Sequence, residues 1–269
     1  MTDWLGECRG AVDDLRDVFR GMPARADREA ILRAGVGGDD TTAIDDAAER
    51  KVVERLERLH AAGESFTLVS EELGERRFGD GDSRWIVVDP VDGSVNAKRG
   101  IPFFALSVAV AEDPTMGEVT FGYVYDFGSG EEWTAVRGEG ARLNGEPLAR
   151  ELPKDEIEIL SFEATKTDSI AARIGGVVGL AERLRIMGSL ALSLCHLAAG
   201  RVDAVCSLKA ARSVDIAAAQ LLVRECGLAI DLPEARPFED APLDLEGRSR
   251  VVAGASSAVC TRLFAALRS

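Results

Sequence analysis

Two aspartates, Asp89 and Asp92, directly follow a short apolar run and suggest chemistry at the end of a strand. The run, Trp85 to Val88, predicts a buried strand, and Pro90, which has no N–H group, predicts that the strand stops before it. The acids would then lie on a tight turn, with a helix beginning near Ser94. Carboxylates there suit hard divalent cations, and the N–H groups of a helix start suit a phosphate. A solvated Asp-Pro turn before a capped helix produces the same short motif.

Three more acids occupy comparable positions. Glu71 follows a predicted strand, while Asp45 and Asp215 each open a predicted helix. Taken singly, an acid in the first helical turn caps the helix or complements its dipole. Taken together with Asp89 and Asp92, converging carboxylates would repel one another and take up protons unless cations neutralise them. The set offers oxygen ligands and no His or Cys, which favours Mg²⁺ or Mn²⁺ over zinc.

Three segments in this order resemble the inositol monophosphatase family of lithium-sensitive sugar phosphatases: Ser70-Glu71-Glu72, Asp89-Pro90-Val91-Asp92-Gly93-Ser94-Val95-Asn96 and Val214-Asp215-Ile216-Ala217-Ala218. The resemblance extends from the loop at residues 39–45 to Cys226. The details look closest to the archaeal-type branch, which acts on fructose 1,6-bisphosphate and inositol phosphates. Two segments carry this closer likeness: Gly100-Ile101-Pro102-Phe103-Phe104-Ala105 and Arg212-Ser213-Val214-Asp215. The resemblance implies an α/β (α+β) fold, a layered αβαβα sandwich, and a phosphoric monoester hydrolase that uses two or three Mg²⁺ ions, or Mn²⁺.

The resemblance also assigns roles by motif. The implied metal ligands are Glu71, Asp89, the backbone carbonyl of Val91, Asp92 and Asp215. Asp45 and Ser94 would orient the attacking water beside Glu71, and the backbone N–H groups of Gly93 and Ser94 would hold the phosphate. Phosphoryl transfer asks the protein mainly for positioning and charge neutralisation, so no nucleophilic side chain is required.

The pair Gly188 and Ser189 follows a predicted strand and begins a predicted helix, so we expect it to line the substrate side together with Asp92. The family usually has Thr where Ser94 stands, and Ser retains the hydroxyl. Many inositol-preferring members have Trp immediately before the last Asp and Glu seven residues before it.

This chain has Val214 and Leu208 at those two positions, which argues against a strict inositol enzyme. Lys209 and Arg212 stand just ahead of Asp215 instead. We hypothesise that these cations favour a second phosphate on a bisphosphorylated sugar. The alternative is that they form ion pairs with neighbouring acids.

The composition narrows the choice of partners. The chain has 269 residues, is 46% hydrophobic and carries a formal net charge of -14, which disfavours nucleic acid and anionic membranes as partners. Its five cysteines form no C-x-x-C motif. The acidic N-terminus lacks an apolar h-region, and the apolar run at residues 101–111 is too short to span a bilayer, so we expect a soluble, cytoplasmic protein. The resemblance implies that the partner is a small phosphate ester and that the protein is a homodimer.

Two units are predicted from a composition shift near Glu151-Leu152-Pro153. Residues 1–153 form an N-terminal α+β unit with most of the metal ligands, and residues 154–269 form an α/β unit that supplies Asp215 and substrate contacts. Helix is predicted through residues 4–34, and a strand over Ile101–Val110. The Gly-rich loop from Gly35 to Thr42 is either a mobile lid or a plain connection.

Three alternatives remain open at this stage. A phosphatase of 3′-phosphonucleotides or of NADP would share the metal core. A non-catalytic scaffold homologue would not need five converging carboxylates. A structural α/β protein with scattered surface acids would leave those acids far apart in the fold.

Overall fold

The computed structural model describes residues 2–34, 40–80, 84–148, 154–163, 166–235 and 237–268. Within these ranges the helices are α1 (Trp4–Gly21), α2 (Arg25–Glu29), α3 (Ala43–Ala61), α4 (Ser94–Arg99), α5 (Thr167–Arg173), α6 (Leu190–Ala198), α7 (Ser213–Glu225) and α8 (Ser257–Ala266). Short 3₁₀ helices cover Met116–Glu118 and Ile174–Val177. The strands are β1 (Ile31–Ala34), β2 (Asp40–Thr42), β3 (Phe66–Ser70), β4 (Gly74–Phe78), β5 (Trp85–Asp92), β6 (Ala105–Ala111), β7 (Val119–Asp126), β8 (Glu132–Val136), β9 (Gly140–Leu143), β10 (Glu146–Pro147), β11 (Ile157–Glu163), β12 (Ala181–Arg185), β13 (Ala204–Ser207), β14 (Ala229–Asp231) and β15 (Val252–Gly254).

Two sheets organise the described part of the chain. The larger has eight strands in the order β10-β9-β8-β7-β6-β5-β3-β4, and within it β3 and β5 are the parallel pair. The smaller has five strands in the order β12-β11-β13-β15-β14, with β11 parallel to both of its neighbours. Because β3 and β5 run in the same direction, their carboxyl ends meet at one edge region of the larger sheet.

Helices cover both faces of each sheet. Helices α1 and α3 pack on one face of the larger sheet through buried residues such as Leu15, Ile44 and Leu68. Helices α6 and α7 fill the space between the two sheets, and α8 packs on the outer face of the smaller sheet through Val259 and Leu263. This order of layers confirms the predicted αβαβα sandwich.

The sequence of α7 follows from its position between the sheets. Its residues from Ile216 to Val223 are all buried, including Gln220, because the helix contacts strands β5 to β8 as well as α6 and β14. A helix that is packed on all sides has no polar stripe. Asp215 is therefore an acid at the start of a helix that is otherwise buried. The position of α7 between the sheets places Asp215 at the edge where β3 and β5 end.

Three predictions about local structure are wrong. The strand predicted from Ile101 begins only at Ala105. Strand β5 does not stop before Pro90 but continues to Asp92, and its pairing with β6 is irregular between Asp89 and Asp92. A proline is tolerated at such an irregularity because no ladder N–H is required there. The segment Ile31–Ala34, predicted as helix, is strand β1, which pairs with β2.

Two further predictions meet the limits of the described residues. Gly35 to Asp39 of the predicted lid and Glu151 to Pro153 of the predicted boundary lie outside them. The division into two units therefore stays a prediction. Of the helices described, none combines the length and apolar character that crossing a membrane requires.

Candidate metal centre

Three acids from separate parts of the chain meet where β3 and β5 end. Glu71 follows β3, Asp89 lies near the end of β5, and Asp215 lies in the first turn of α7. One carboxylate oxygen from each lies within 4.8 Å of the others. The pairing of Ser70 with Val88 explains part of this, because it aligns the residues that follow on both strands. The alternative of scattered surface acids is therefore wrong.

Burial and mutual repulsion both raise the pKa values of Asp89 and Glu71. Asp89 is 3% exposed, and desolvation together with the charges of Glu71, Asp92 and Asp215 holds its pKa well above the usual range. Desolvation, followed by the charge of Asp215, raises the pKa of Glu71 to about 7. Carboxyls in this state are stabilised as anions by a nearby cation. The oxygen donors, their spacing and their burial fit a hard divalent ion.

Arg212 is the cation that contacts this group. Its Nη2 lies 2.6 Å from Glu71 Oε1 and 3.0 Å from Asp215 Oδ1, and its backbone N–H donates to Asp215 Oδ2 at 2.7 Å. Burial alone would lower the pKa of the guanidinium, but the charges of Asp215 and Glu71 raise it overall. The Nη1 atom of Arg212 is buried and has no hydrogen-bond partner in the described structure. The ion pairs match the alternative stated for Arg212, while Lys209 is exposed.

Asp92 lies beside the three-acid group and is held from the smaller sheet's side. Its Oδ2 accepts hydrogen bonds from Ser189 Oγ at 2.6 Å and from the backbone N–H of Ala191 at 2.8 Å. Desolvation, only partly offset by the Ser189 bond, raises the pKa of Asp92 to about 7. Ser189, which was predicted to face the substrate, is 1% exposed and orients Asp92. Val91 is also buried, and its N–H donates to Asp89 Oδ1 at 2.9 Å.

The turn at Gly93 requires a glycine. Gly93 has φ +91°, and a Cβ placed on it would lie 3.1 Å from the Phe103 carbonyl oxygen and 3.2 Å from that of Gly188. It precedes α4, which Ser94 begins with a half-buried side chain. The N–H groups at the start of α4 therefore lie next to Asp92 along the chain, close to the Gly188 turn.

Asp45 caps α3 and has a basic neighbour. Its Oδ2 accepts the Thr42 N–H at 3.1 Å, and Lys98 Nζ lies 3.9 Å from the same oxygen. Glu72 is near enough for the charge of Asp45 to help raise its pKa, after desolvation. Thr41 donates to Glu72. Asp45 is thus linked to the segment after β3 that carries Glu71.

Two buried acids near the centre were missed from the sequence. Glu49 is 4% exposed and accepts from Ser70 Oγ at 2.7 Å, and its pKa is raised to about 7, chiefly by desolvation. Glu163, at the end of β11, is 7% exposed and contacts the turn before α6. Glu163 did carry a signal, since it stands at the end of a predicted strand, as Glu71 does. Glu49 lies mid-helix and carried none.

Comparisons with known proteins identify the family. A model of the inositol monophosphatase family matches residues 8–269. A fructose-1,6-bisphosphatase/inositol-1-monophosphatase of Methanothermobacter thermautotrophicus is 33% identical over 260 residues, which cover 93% of this chain and 91% of that protein. The Nus factor SuhB of Escherichia coli K12 is 35% identical over 206 residues, 74% of each chain. A crystal structure of an inositol monophosphatase–fructose 1,6-bisphosphatase superposes with a TM-score of 0.83 at 24% identity, covering 98% of this chain and 100% of that one.

Proposed function

We propose, from the premise that this chain belongs to the inositol monophosphatase family, that it is a Mg²⁺-dependent phosphatase of sugar or polyol phosphate monoesters. Membership makes it a phosphoric monoester hydrolase of a metal-dependent family. The choice of Mg²⁺, with Mn²⁺ as a substitute, rests on the oxygen-only donor set. The observation that carries the proposal is the approach of Glu71, Asp89 and Asp215 to within 4.8 Å.

The proposed metal ligands are Glu71, Asp89, the Val91 carbonyl, Asp92 and Asp215. Bound divalent ions would supply an activated water and neutralise charge on the phosphate. Around them, Ser189 and Ala191 orient Asp92, while Thr42 and Lys98 orient Asp45.

The remaining proposed roles concern the water and the phosphate. Asp45 and the Ser94 hydroxyl orient the attacking water, with Glu71 beside it. The N–H groups of Gly93 and Ser94 donate to the phosphate, because the positive φ of Gly93 turns the chain into α4 there. Each of these groups acts by position and hydrogen bonding, which is what phosphoryl transfer demands of the protein.

For substrates we propose inositol 1-phosphate and fructose 1,6-bisphosphate, the two named in the relative from Methanothermobacter. Exposed Lys209 and Arg212, whose buried Nη1 atom has no hydrogen-bond partner in the described structure, are the proposed contacts of a second phosphate. Gly188 is proposed to line the substrate side. Changing Lys209 to Ala should raise KM for fructose 1,6-bisphosphate more than for inositol 1-phosphate. Lys51→Ala, on the exposed side of α3, is the control. Equal effects of Lys209→Ala on both substrates would refute this contact.

A second candidate is a non-catalytic role. We propose it as the alternative because two similar proteins are named as Nus factors and not as phosphatases. The intact acid group argues for catalysis, and the net charge of -14 disfavours direct contact with nucleic acid.

We further propose a homodimer, which light scattering on the purified protein would test, and a cytoplasmic location stays a prediction.

Phosphate release from purified protein tests the main proposal. The substrates are inositol 1-phosphate, fructose 1,6-bisphosphate, a 3′-phosphonucleotide and NADP, each with Mg²⁺ and with EDTA. We expect Mg²⁺-dependent release from one or both sugar or polyol esters, abolished in Asp89→Asn and retained in Asp17→Asn, whose side chain is 79% exposed. Release only from the nucleotides would move the substrate to the alternative class. No release from any substrate would favour the non-catalytic role.

A further inference from the structure

Glu163 is a buried carboxylate to which the proposed chemistry assigns no role. We propose that Glu163 is a positioning residue: it holds the turn at residues 187–189, and that turn orients Asp92. The inference rests on the proposed function only in taking Asp92 as a metal ligand. Its first link, from Glu163 to the turn, is independent of any activity.

Glu163 accepts hydrogen bonds from both the turn and its surroundings. Its Oε2 accepts from the Gly188 N–H at 2.9 Å, and its Oε1 accepts from the Met187 N–H at 3.2 Å. Oε1 also accepts from Ser161 Oγ at 2.9 Å and Ser193 Oγ at 2.8 Å. Both oxygens are thus engaged in a residue that is 7% exposed. An ionised carboxylate accepts on both oxygens, whereas an amide can do so on one.

Residues 187–191 form hydrogen bonds with Asp92, a proposed metal ligand, and with Asn96 of α4, the helix that begins at the proposed phosphate site. Ser189 Oγ and the Ala191 N–H donate to Asp92 Oδ2, and the Met187 carbonyl accepts from Asn96 Nδ2 at 2.8 Å. Gly188 has φ +87°, a backbone conformation that glycine adopts without strain. Through these bonds, one acid on the smaller sheet sets the position of Asp92 and, through Asn96, of α4. Groups that orient a metal ligand in this way are expected to affect metal affinity.

The test compares Glu163→Gln with Glu158→Gln. Glu158 lies on the same strand, is 63% exposed and pairs with Arg183, so it is a matched control for a loss of charge on β11. In Glu163→Gln, the Gly188 N–H or the donors to Oε1 face an amide NH₂ instead of an acceptor. We expect faster hydrogen–deuterium exchange at residues 187–191 in metal-free protein. We also expect Mn²⁺ affinity to fall about 10- to 100-fold, the usual range for a group that orients a ligand.

One further readout and two further variants separate a positioning role from a purely structural one. A purely structural role would lower the melting temperature without changing the Mn²⁺ dissociation constant of the folded protein. Glu163→Asp, which keeps both acceptor oxygens, should recover part of the affinity. Ser193→Ala removes one donor and keeps the carboxylate, so it should lower Mn²⁺ affinity by a smaller factor. It serves as the test variant if Glu163→Gln does not fold.

Unchanged exchange at residues 187–191 together with unchanged Mn²⁺ affinity in Glu163→Gln would overturn the inference, as would equal effects in Glu158→Gln. If Glu163→Gln does not fold, unchanged affinity in Ser193→Ala would overturn it. Failure of the wild-type protein to release phosphate would instead count against the proposed function, because the exchange measurement does not depend on catalysis.

Discussion

Replacing Arg212 by Met should destabilise the protein when divalent cations are removed and much less when they are present. The side chain of Arg212 is 6% exposed and neutralises Glu71 and Asp215. Removing one partner of a buried ion pair costs about 3–5 kcal/mol. Because Glu71 and Asp215 remain 19% and 15% exposed, we take the lower end, about 3 kcal/mol in EDTA. For a chain of this size that corresponds to a melting temperature lower by roughly 6–12 °C.

Bound metal should substitute for the missing guanidinium, so we expect a loss of only about 1 kcal/mol in saturating Mg²⁺. The difference of about 2 kcal/mol, divided by 1.4 kcal/mol per tenfold, predicts about 30-fold tighter Mg²⁺ binding in Arg212→Met than in wild type. Urea unfolding with EDTA and with Mg²⁺, and calorimetric Mg²⁺ titration, measure both quantities.

Arg201→Met is the matched control, because Arg201 pairs with Glu131 at 2.6 Å on the surface. It should lose little stability, and equally with and without Mg²⁺. Equal destabilisation of Arg212→Met in EDTA and Mg²⁺, with unchanged Mg²⁺ affinity, would refute the reasoning that bound metal takes over the charge neutralisation that Arg212 provides.

Three other outcomes are expected. Because the folded-state pKa values of Glu71 and Asp92 are raised to about 7, above the unfolded values near 4, the contribution of these two carboxyls to stability in EDTA should be fully present below about pH 4 and be lost as pH rises through about 7. Mg²⁺ affinity should rise over that range, and flat profiles from urea unfolding and calorimetry would contradict this. Gly93→Ala should lower the melting temperature and phosphate release more than Gly138→Ala, which has a similar positive φ of +79° but nothing within 4 Å of its Cβ, so equal losses would exclude the proposed crowding. Ser94→Ala should reduce kcat about 100-fold without changing the Mg²⁺ dissociation constant, and a parallel loss of Mg²⁺ binding would argue against its role in orienting water.

The convergence of Glu71, Asp89 and Asp215 was predictable because each stands at an element end that the local pattern already marks. Apolar runs before Glu71 and Asp89 predict strands, and the apolar stretch after Asp215 predicts a buried helix. Parallel pairing of β3 with β5 then brings two of these acids together. The layered fold follows from the same alternation of strands and helices, together with the family resemblance.

Long-range contacts were not predictable in this way. The bonds from Glu163 to Gly188 and from Ser189 to Asp92 join residues that are 25 and 97 positions apart. Local patterns do not reveal such pairs, since the same residue types also cap helices and turns. The prediction that β5 stops before Pro90 failed for a related reason. The pairing of β5 with β6 is irregular at this point, and this irregularity, formed in the tertiary structure, removes the need for the N–H group that proline lacks.

The most direct measurement is an anomalous difference map from crystals of this protein grown with Mn²⁺. We expect peaks in contact with carboxylate oxygens of Glu71, Asp89 and Asp215, and loss of those peaks in crystals of Asp89→Asn. Ordered density for the three carboxylates with no anomalous peak between them, or peaks only at other places on the protein, would contradict a metal centre at the ends of β3 and β5.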